Sequence, residues 1–268
     1  MISRTLPLFL GVCLAVSGAL AEVPQTLSLE ALTSPELAAA IRSGKTTIIV
    51  PIGGTEQNGA HMVLGKHNRR VKILAERIAA ALGNALVAPV IAYVPEGSVD
   101  PPTAHMRFPG TITVADDAFE KVLESAARSF KLAGFRDVVF IGDHGGYQKN
   151  LQSAAQKLNR AWSGTPARAH AIVEYYQVAE TAYARMLKGE GYRDDEIGTH
   201  AGLADTSLAL AVDPSLVRAE KLKAGAPPPR AEGAYGDPRR ATAELGQQGV
   251  DAIVAQTVEA IRKATARQ

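Results

Sequence analysis

The chain has 268 residues, with 29 Lys and Arg against 27 Asp and Glu, six His and one Cys. Such a balance argues against a nucleic-acid groove or an anionic membrane surface as partner, and one cysteine excludes a disulfide framework. The length, with no low-complexity linker or internal repeat, fits one large domain able to bury a substantial core.

The first segment, 1–21, reads "MISRTLPLFLGVCLAVSGALA". Arg4, an apolar stretch from Leu6 to Val16 and the ending Ala19-Leu20-Ala21 predict a secretory signal cleaved before Glu22. The apolar stretch is too short to span a bilayer comfortably, so no membrane association is expected after cleavage. Cys13 follows Leu10-Gly11-Val12, without the small residue that a lipidation site wants just before the Cys. The mature chain, 22–268, is then a periplasmic or secreted single domain without a thiol. Any metal must be held by His, Asp or Glu.

Helix and strand signals alternate along the rest. A capped helix at 34–44 leads into a buried strand at 46–53. A helix follows at 68–82, with Val71, Leu74, Ile78 and Leu82 on one face and Gly83 as its stop. A second strand is predicted at 84–94 and a short strand or hairpin edge at 107–114. Thr113 then opens a long helix carrying Phe119, Val122, Leu123, Ala126 and Phe130 as its stripe, closed by Gly134. A strand at 137–146, a helix to Ala161, a strand at 169–176 and another helix follow. The stretch "GAPPPRAEGAYGD", 225–237, is too rich in Pro and Gly for an element interior, and 242–266 is an amphipathic helix. Strands separated by helices predict an α/β fold, a three-layer α/β/α sandwich with a mostly parallel central sheet.

Chemistry concentrates where strands end. The loop "PIGGTEQNGAHMVLGKHN" holds Glu56, Asn58, His61 and His67, and "GDHGG" holds Asp143 and His144 before two glycines that let backbone approach a ligand closely. Loops at one edge of a parallel sheet converge. In "GTHAGLADTS", Thr199 can cap a helix carrying His200 and Asp205 in its first two turns, and a helix start aimed at the site attracts an anion.

The segments "PIGGTEQNGAH…LG", "FPGT", "GDHGG", "THAGLADTS" and "GDPRRAT", in this order and rough spacing, resemble the creatininase (creatinine amidohydrolase) family over nearly all of the mature chain. The resemblance implies a three-layer fold, a divalent metal centre, hydrolysis of a non-peptide amide or cyclic amide C–N bond, a small-molecule substrate, and a homo-oligomer, often a hexamer. Matching the family's ligands one at a time, Glu56 and His144 are kept. Asn58 stands at a ligand histidine, His67 at the bridging aspartate, Gly146 at a ligand glutamate, and Asp205 at the acid of "ETS".

What remains is Glu56, His67 and His144, a two-His-one-carboxylate set for about one divalent ion per chain, zinc first, with manganese or iron as alternatives. His61 or Asp205 would complete or orient it. His200, matching a family histidine, is the expected proton shuttle beside Glu56, and His105, Asp205 and Tyr147 are expected to face substrate. His170 and Trp162 read as structural. The competing expectation is that His67 only caps its helix and the protein is a metal-depleted periplasmic binding or structural homologue.

Overall fold

A computed structural model of the protein describes residues 25–222 and 230–266. The expected signal segment, and 225–229 of the Pro/Gly-rich stretch, lie outside them. In chain order the elements are α1 (Ser34–Arg42), β1 (Thr47–Ile52), α2 (Lys66–Leu82), β2 (Ala85–Val87), α3 (Asp116–Ala133), β3 (Asp137–Gly142), α4 (Gln148–Ala161), β4 (Arg168–Ala171), α5 (Glu174–Val178), a π-helical turn (Ala179–Tyr183), α6 (Ala184–Gly189), α7 (Asp194–Ile197), α8 (Leu203–Val212), α9 (Ala219–Leu222) and α10 (Ala243–Thr265).

The four strands form one parallel sheet in the order β2-β1-β3-β4. Runs such as "TIIVPI" and "DVVFIG" are buried at every position because both faces of a parallel sheet are covered by helices. The period-2 alternation of strands sorts their side chains between two cores. Ile49, Val139 and Ile141 pack with Val71, Leu74 and Ile78 of α2 and Val250 and Ile253 of α10. Ile48, Val50 and Phe140 pack on the other face with Phe119, Leu123, Leu151 and Trp162. The expected three-layer α/β/α architecture is what the chain adopts.

Several boundaries differ from expectation. The strand expected at 84–94 stops at Val87, because Pro89 lacks the N–H that would continue the ladder, and the chain returns to β1 only as a single bridge from Ile91 to Ile52. The stretch 107–114 forms no strand, and α3 starts at Asp116; Thr113 instead accepts a hydrogen bond from the Glu96 N–H. The segment 169–176 divides between the short β4 and α5.

The order places a topological switch point between β1 and β3, since the chain leaves β1 toward β2 on one side and β3 joins on the other. Ligand crevices of open α/β sheets lie at the carboxyl ends of such strands. The loops after β1 and β3 meet there. Among the described residues no helix is long and apolar enough to cross a membrane.

Candidate active site

Glu56 is the hub. It sits in the loop after β1, fully buried, with its N–H bonded to the Leu64 carbonyl. Its Oε1 is 2.6 Å from His67 Nε2, and its Oε2 is 3.3 Å from His105 Nε2 and 3.6 Å from His144 Nε2. His200 Nδ1 is 3.6 Å from Oε1. Burial opposes ionisation of Glu56, but the hydrogen bond and charge of His67 outweigh it and hold the carboxyl far below the usual carboxylate range.

His67 lies in the first turn of α2, which starts at Lys66 behind Gly65 rather than at residue 68. Its two ring nitrogens face two carboxylates, Nε2 to Glu56 and Nδ1 to Asp143 Oδ2 at 2.6 Å. Two acceptors require two N–H donors, so the ring is an imidazolium. Burial and the nearby Lys66 charge disfavour that state, yet the bonds to Asp143 and Glu56 prevail and raise its pKa. In this arrangement both ring nitrogens of His67 are taken up by carboxylates, and the ligand atoms that converge are those of Glu56, His105 and His144 rather than the expected set with His67.

Asp143 is saturated. It accepts from Arg70 Nε at 3.0 and 3.1 Å, from Tyr175 at 2.8 Å and from His67. Arg70 also donates to Asp205 Oδ1 at 2.7 Å, and the buried Lys66 pairs with Asp205 Oδ2. Burial opposes the charge on Asp205, but Lys66 and Arg70 keep it well below the usual range. Asp205 therefore lines the cavity as a fixed anion of an ion-pair network, its oxygens already bonded by Lys66, Arg70 and the Ala201 N–H.

The remaining expected residues divide. His105, reached from the short turn Ala104–Arg107, joins the cluster. His200 precedes α8, which starts at Leu203 behind Gly202, so Thr199 is not its cap. His200 Nε2 donates to the Gln57 carbonyl at 2.9 Å, leaving Nδ1 toward Glu56, and burial with the Lys66 charge pushes its pKa down to about 3. His61 points away, 2.9 Å from Thr206. Tyr147, expected at substrate, is completely buried; its hydroxyl donates toward the Ile52 and Gly53 carbonyls and accepts the His144 N–H. It fixes the β3 loop instead. Asn58 is likewise absorbed by backbone, donating to the Glu56 and Val63 carbonyls. Gly146 lies against the His144 ring, where a Cβ would come within 2.9 Å of it.

Sequence reasoning missed Glu96. It follows the apolar run "VIAYVP" at the same sheet edge, a position analogous to Glu56, and that was the available signal. Its side chain is buried, Oε2 is 3.5 Å from His144 Nε2, and burial beside Glu56 raises its pKa to about 8. Gln57, whose side-chain amide donates to the His105 ring and whose backbone carbonyl holds His200, was also missed.

The cluster opens on a cavity of about 500 Å³ whose lining includes His105, His144 and His200 together with Tyr176, Glu180 and Tyr235. Glu56, His105 and His144 each offer a ligand atom, all within 4.8 Å of one another. Their donor set is right for zinc or manganese, and Glu56 Oε2 is buried without a hydrogen-bond partner. The separations of 3.3 and 3.6 Å approach the ~3.3–3.4 Å edge of a tetrahedron with ~2.0–2.1 Å bonds. One feature opposes binding: the Gly146 N–H donates to His144 Nδ1 and the Gln57 amide to His105 Nδ1, which directs both ring protons onto Nε2. Coordination through Nε2 would cost these bonds, about 1 kcal/mol each, against ~10 kcal/mol or more for a tight site. The residues fit an ion.

The family model for creatininase, "Creatinine amidohydrolase", matches residues 30–261. The chain belongs to the creatininase family. Similar proteins include a mycofactocin precursor peptide peptidase of Mycobacterium tuberculosis, 29% identical over 90% of this chain and 93% of that one, and the creatinine amidohydrolase of Pseudomonas putida, 26% identical over 71% and 74%. A crystal structure of creatinine amidohydrolase covers 91% of this chain and all of its own at a TM-score of 0.73 and 23% identity, a likeness of fold. Solved creatininases include a Zn-Zn type and a Mn form. The relatives named here are hydrolases by their printed names, and Glu56, His105 and His144 of this chain form a group that could hold a metal ion.

Proposed function

We propose that this protein is a metal-dependent hydrolase that cleaves a C–N bond of a small amide, cyclic amides included, with one ion per chain. The observation that carries the proposal is the convergence of Glu56 Oε2, His105 Nε2 and His144 Nε2 beside the cavity. These three residues would hold the ion. When bound, a divalent ion supplies Lewis-acid polarisation of the amide carbonyl and a water of lowered pKa.

The chain's own groups do the rest. His67 grips Glu56 through Oε1 and leaves Oε2 turned to the other imidazoles. Its positive charge sits between Glu56 and Asp143, and with Arg70 beside Asp143 both buried carboxylates already face a cation of the chain itself. That supports one ion rather than two. His200, its tautomer set by the Gln57 carbonyl, presents a bare Nδ1 that can take a proton from the attacking water and return it to the leaving nitrogen. Lys66 and Arg70 are held by Asp205 in an ion-pair network that lines the cavity.

A cavity of about 500 Å³ lies within the ~300–1,000 Å³ of drug-sized sites and exceeds what one five-membered ring fills. This favours, as a second substrate class, the terminal residues of a short peptide. The pattern at 1–21 supports export to the periplasm or beyond. Cyclic amides, N-substituted amides and short peptides offered to metal-loaded protein, with chelated protein alongside, test the reading. Hydrolysis by the loaded form alone is expected; a loaded protein inert toward the whole panel would sink it.

A further inference from the structure

The segment running through α5, the π-helical turn and α6 presents two faces. Tyr175, Val178, Tyr183 and Leu187 are buried in the core, whereas Tyr176, Ala179, Glu180 and Ala184 line the cavity. The π-helical turn, Ala179–Tyr183, lies within that cavity face, and such turns are frequent at functional sites. Tyr176 is seated tightly: a Cβ on Gly145, the neighbour of His144, would come within 2.7 Å of its hydroxyl oxygen. Glu180 stands four residues on, ~5–6 Å away between Cβ atoms. The alanines beside it fill little of the space.

The other charged side chains of the lining are matched within the chain. Lys66 and Arg70 meet Asp205, Arg70 and His67 meet Asp143, and His67 meets Glu56. Glu180 is exposed on the cavity wall and has no ion-pair partner among the described residues. Desolvation by that wall, then the Asp205 charge, raise its pKa, and the Tyr176 hydroxyl and Arg70 do not offset them. The carboxylate therefore lacks a counter-charge that a ligand in the cavity can supply.

We propose that Glu180 is a substrate-recognition residue, which takes a cationic nitrogen group, ammonium or guanidinium, carried by the amide substrate away from its scissile bond. The inference rests on the hydrolase reading above and deepens it. Tyr176 is then the positioning residue, packed on Gly145 so that the helix face bearing Glu180 is held against the cavity.

Metal-loaded full-length protein is offered p-nitroanilides of ω-aminoalkanoic and ω-guanidinoalkanoic acids of graded chain length, each paired with the uncharged alkanoic p-nitroanilide of equal length. The readout is the ratio of kcat/KM within each pair. Wild type should favour the cationic member by roughly 10-fold or more at the best length, the range for a hydrogen bond between charged groups. Added salt should reduce that preference. Glu180→Gln should bring the ratio near unity, and Glu180→Lys should turn the preference toward ω-carboxyalkanoic p-nitroanilides. No preference in wild type, or one kept intact by Glu180→Gln, would overturn the assignment and leave the hydrolase standing. If loaded protein hydrolyses no member, the hydrolase reading fails and binding decides the subsite alone. Butylammonium and butylguanidinium are then titrated against butanol and followed by NMR shifts of the protein. Preferential binding of the cations that Glu180→Gln abolishes upholds the subsite, and equal binding of all three overturns it.

Discussion

The Nε2 atom of His67 lies 2.6 Å from Oε1 of Glu56, and the opposite nitrogen of the same ring lies 2.6 Å from Asp143. The ring is a cationic clasp between two buried acids. His67→Ala should therefore leave Glu56, His105 and His144 able to take an ion and should strike stability first, since buried Glu56 loses its counter-charge and Asp143 is left to Arg70 and Tyr175. Breaking such a pair costs ~3–5 kcal/mol. Denaturant unfolding beside metal analysis reads both effects. A mutant of wild-type stability that has lost its ion would mean that His67 is a ligand.

His200 is separable from the ion, because its nitrogens meet Gln57 and the space beside Glu56 rather than completing the donor set. His200→Ala should keep one ion and lose ~10²- to 10⁴-fold in kcat, the range for one acid-base group. Wild-type turnover by that mutant would remove His200 from the proton transfer.

Asp205 carries a pH prediction. Its folded-state pKa is depressed by Lys66 and Arg70 despite burial, so its contribution is present above the unfolded value of about 4 and is lost as pH falls below it. Wild type should lose stability progressively in acid, and Asp205→Asn should be weaker at pH 7 with a flatter slope below pH 4. Parallel stability–pH curves for the two proteins would remove Asp205 from the network.

Tyr147→Phe should separate support from substrate contact. The hydroxyl bonds carbonyls of Ile52 and Gly53 in the interior, and its removal should cost ~1–3 kcal/mol of stability. KM should not move, because Tyr147 does not line the cavity. A raised KM with unchanged stability would restore it to the substrate side.

The fold was legible because β1 and β3 are continuous apolar runs that end in polar glycine-rich loops, a pattern that only a sheet covered on both faces explains. Boundaries slipped where one residue overrules a pattern, as Pro89 does in ending β2. In the site, Glu56 and His144 could be picked out as polar residues at strand ends. The role of His67 could not, since a ligand and a clasp are both histidines, and only the approach of Asp143 from 76 positions away along the chain distinguishes them. Glu96 escaped for a similar reason: a lone Glu in a loop looks solvated until its burial against Gly54 and its missing donors are seen.

Metal dependence with a single ion is the central claim, and one titration reaches it directly. Protein stripped by chelator is reloaded stepwise with Zn²⁺ or Mn²⁺ while hydrolysis of a substrate from the panel and bound metal are measured on the same samples. Activity should be absent without metal, rise in proportion to bound ion, and level off at about one ion per chain, as the donor set of Glu56, His105 and His144 requires. Full activity in the stripped protein, or a rise that begins only as a second ion binds, would contradict the account.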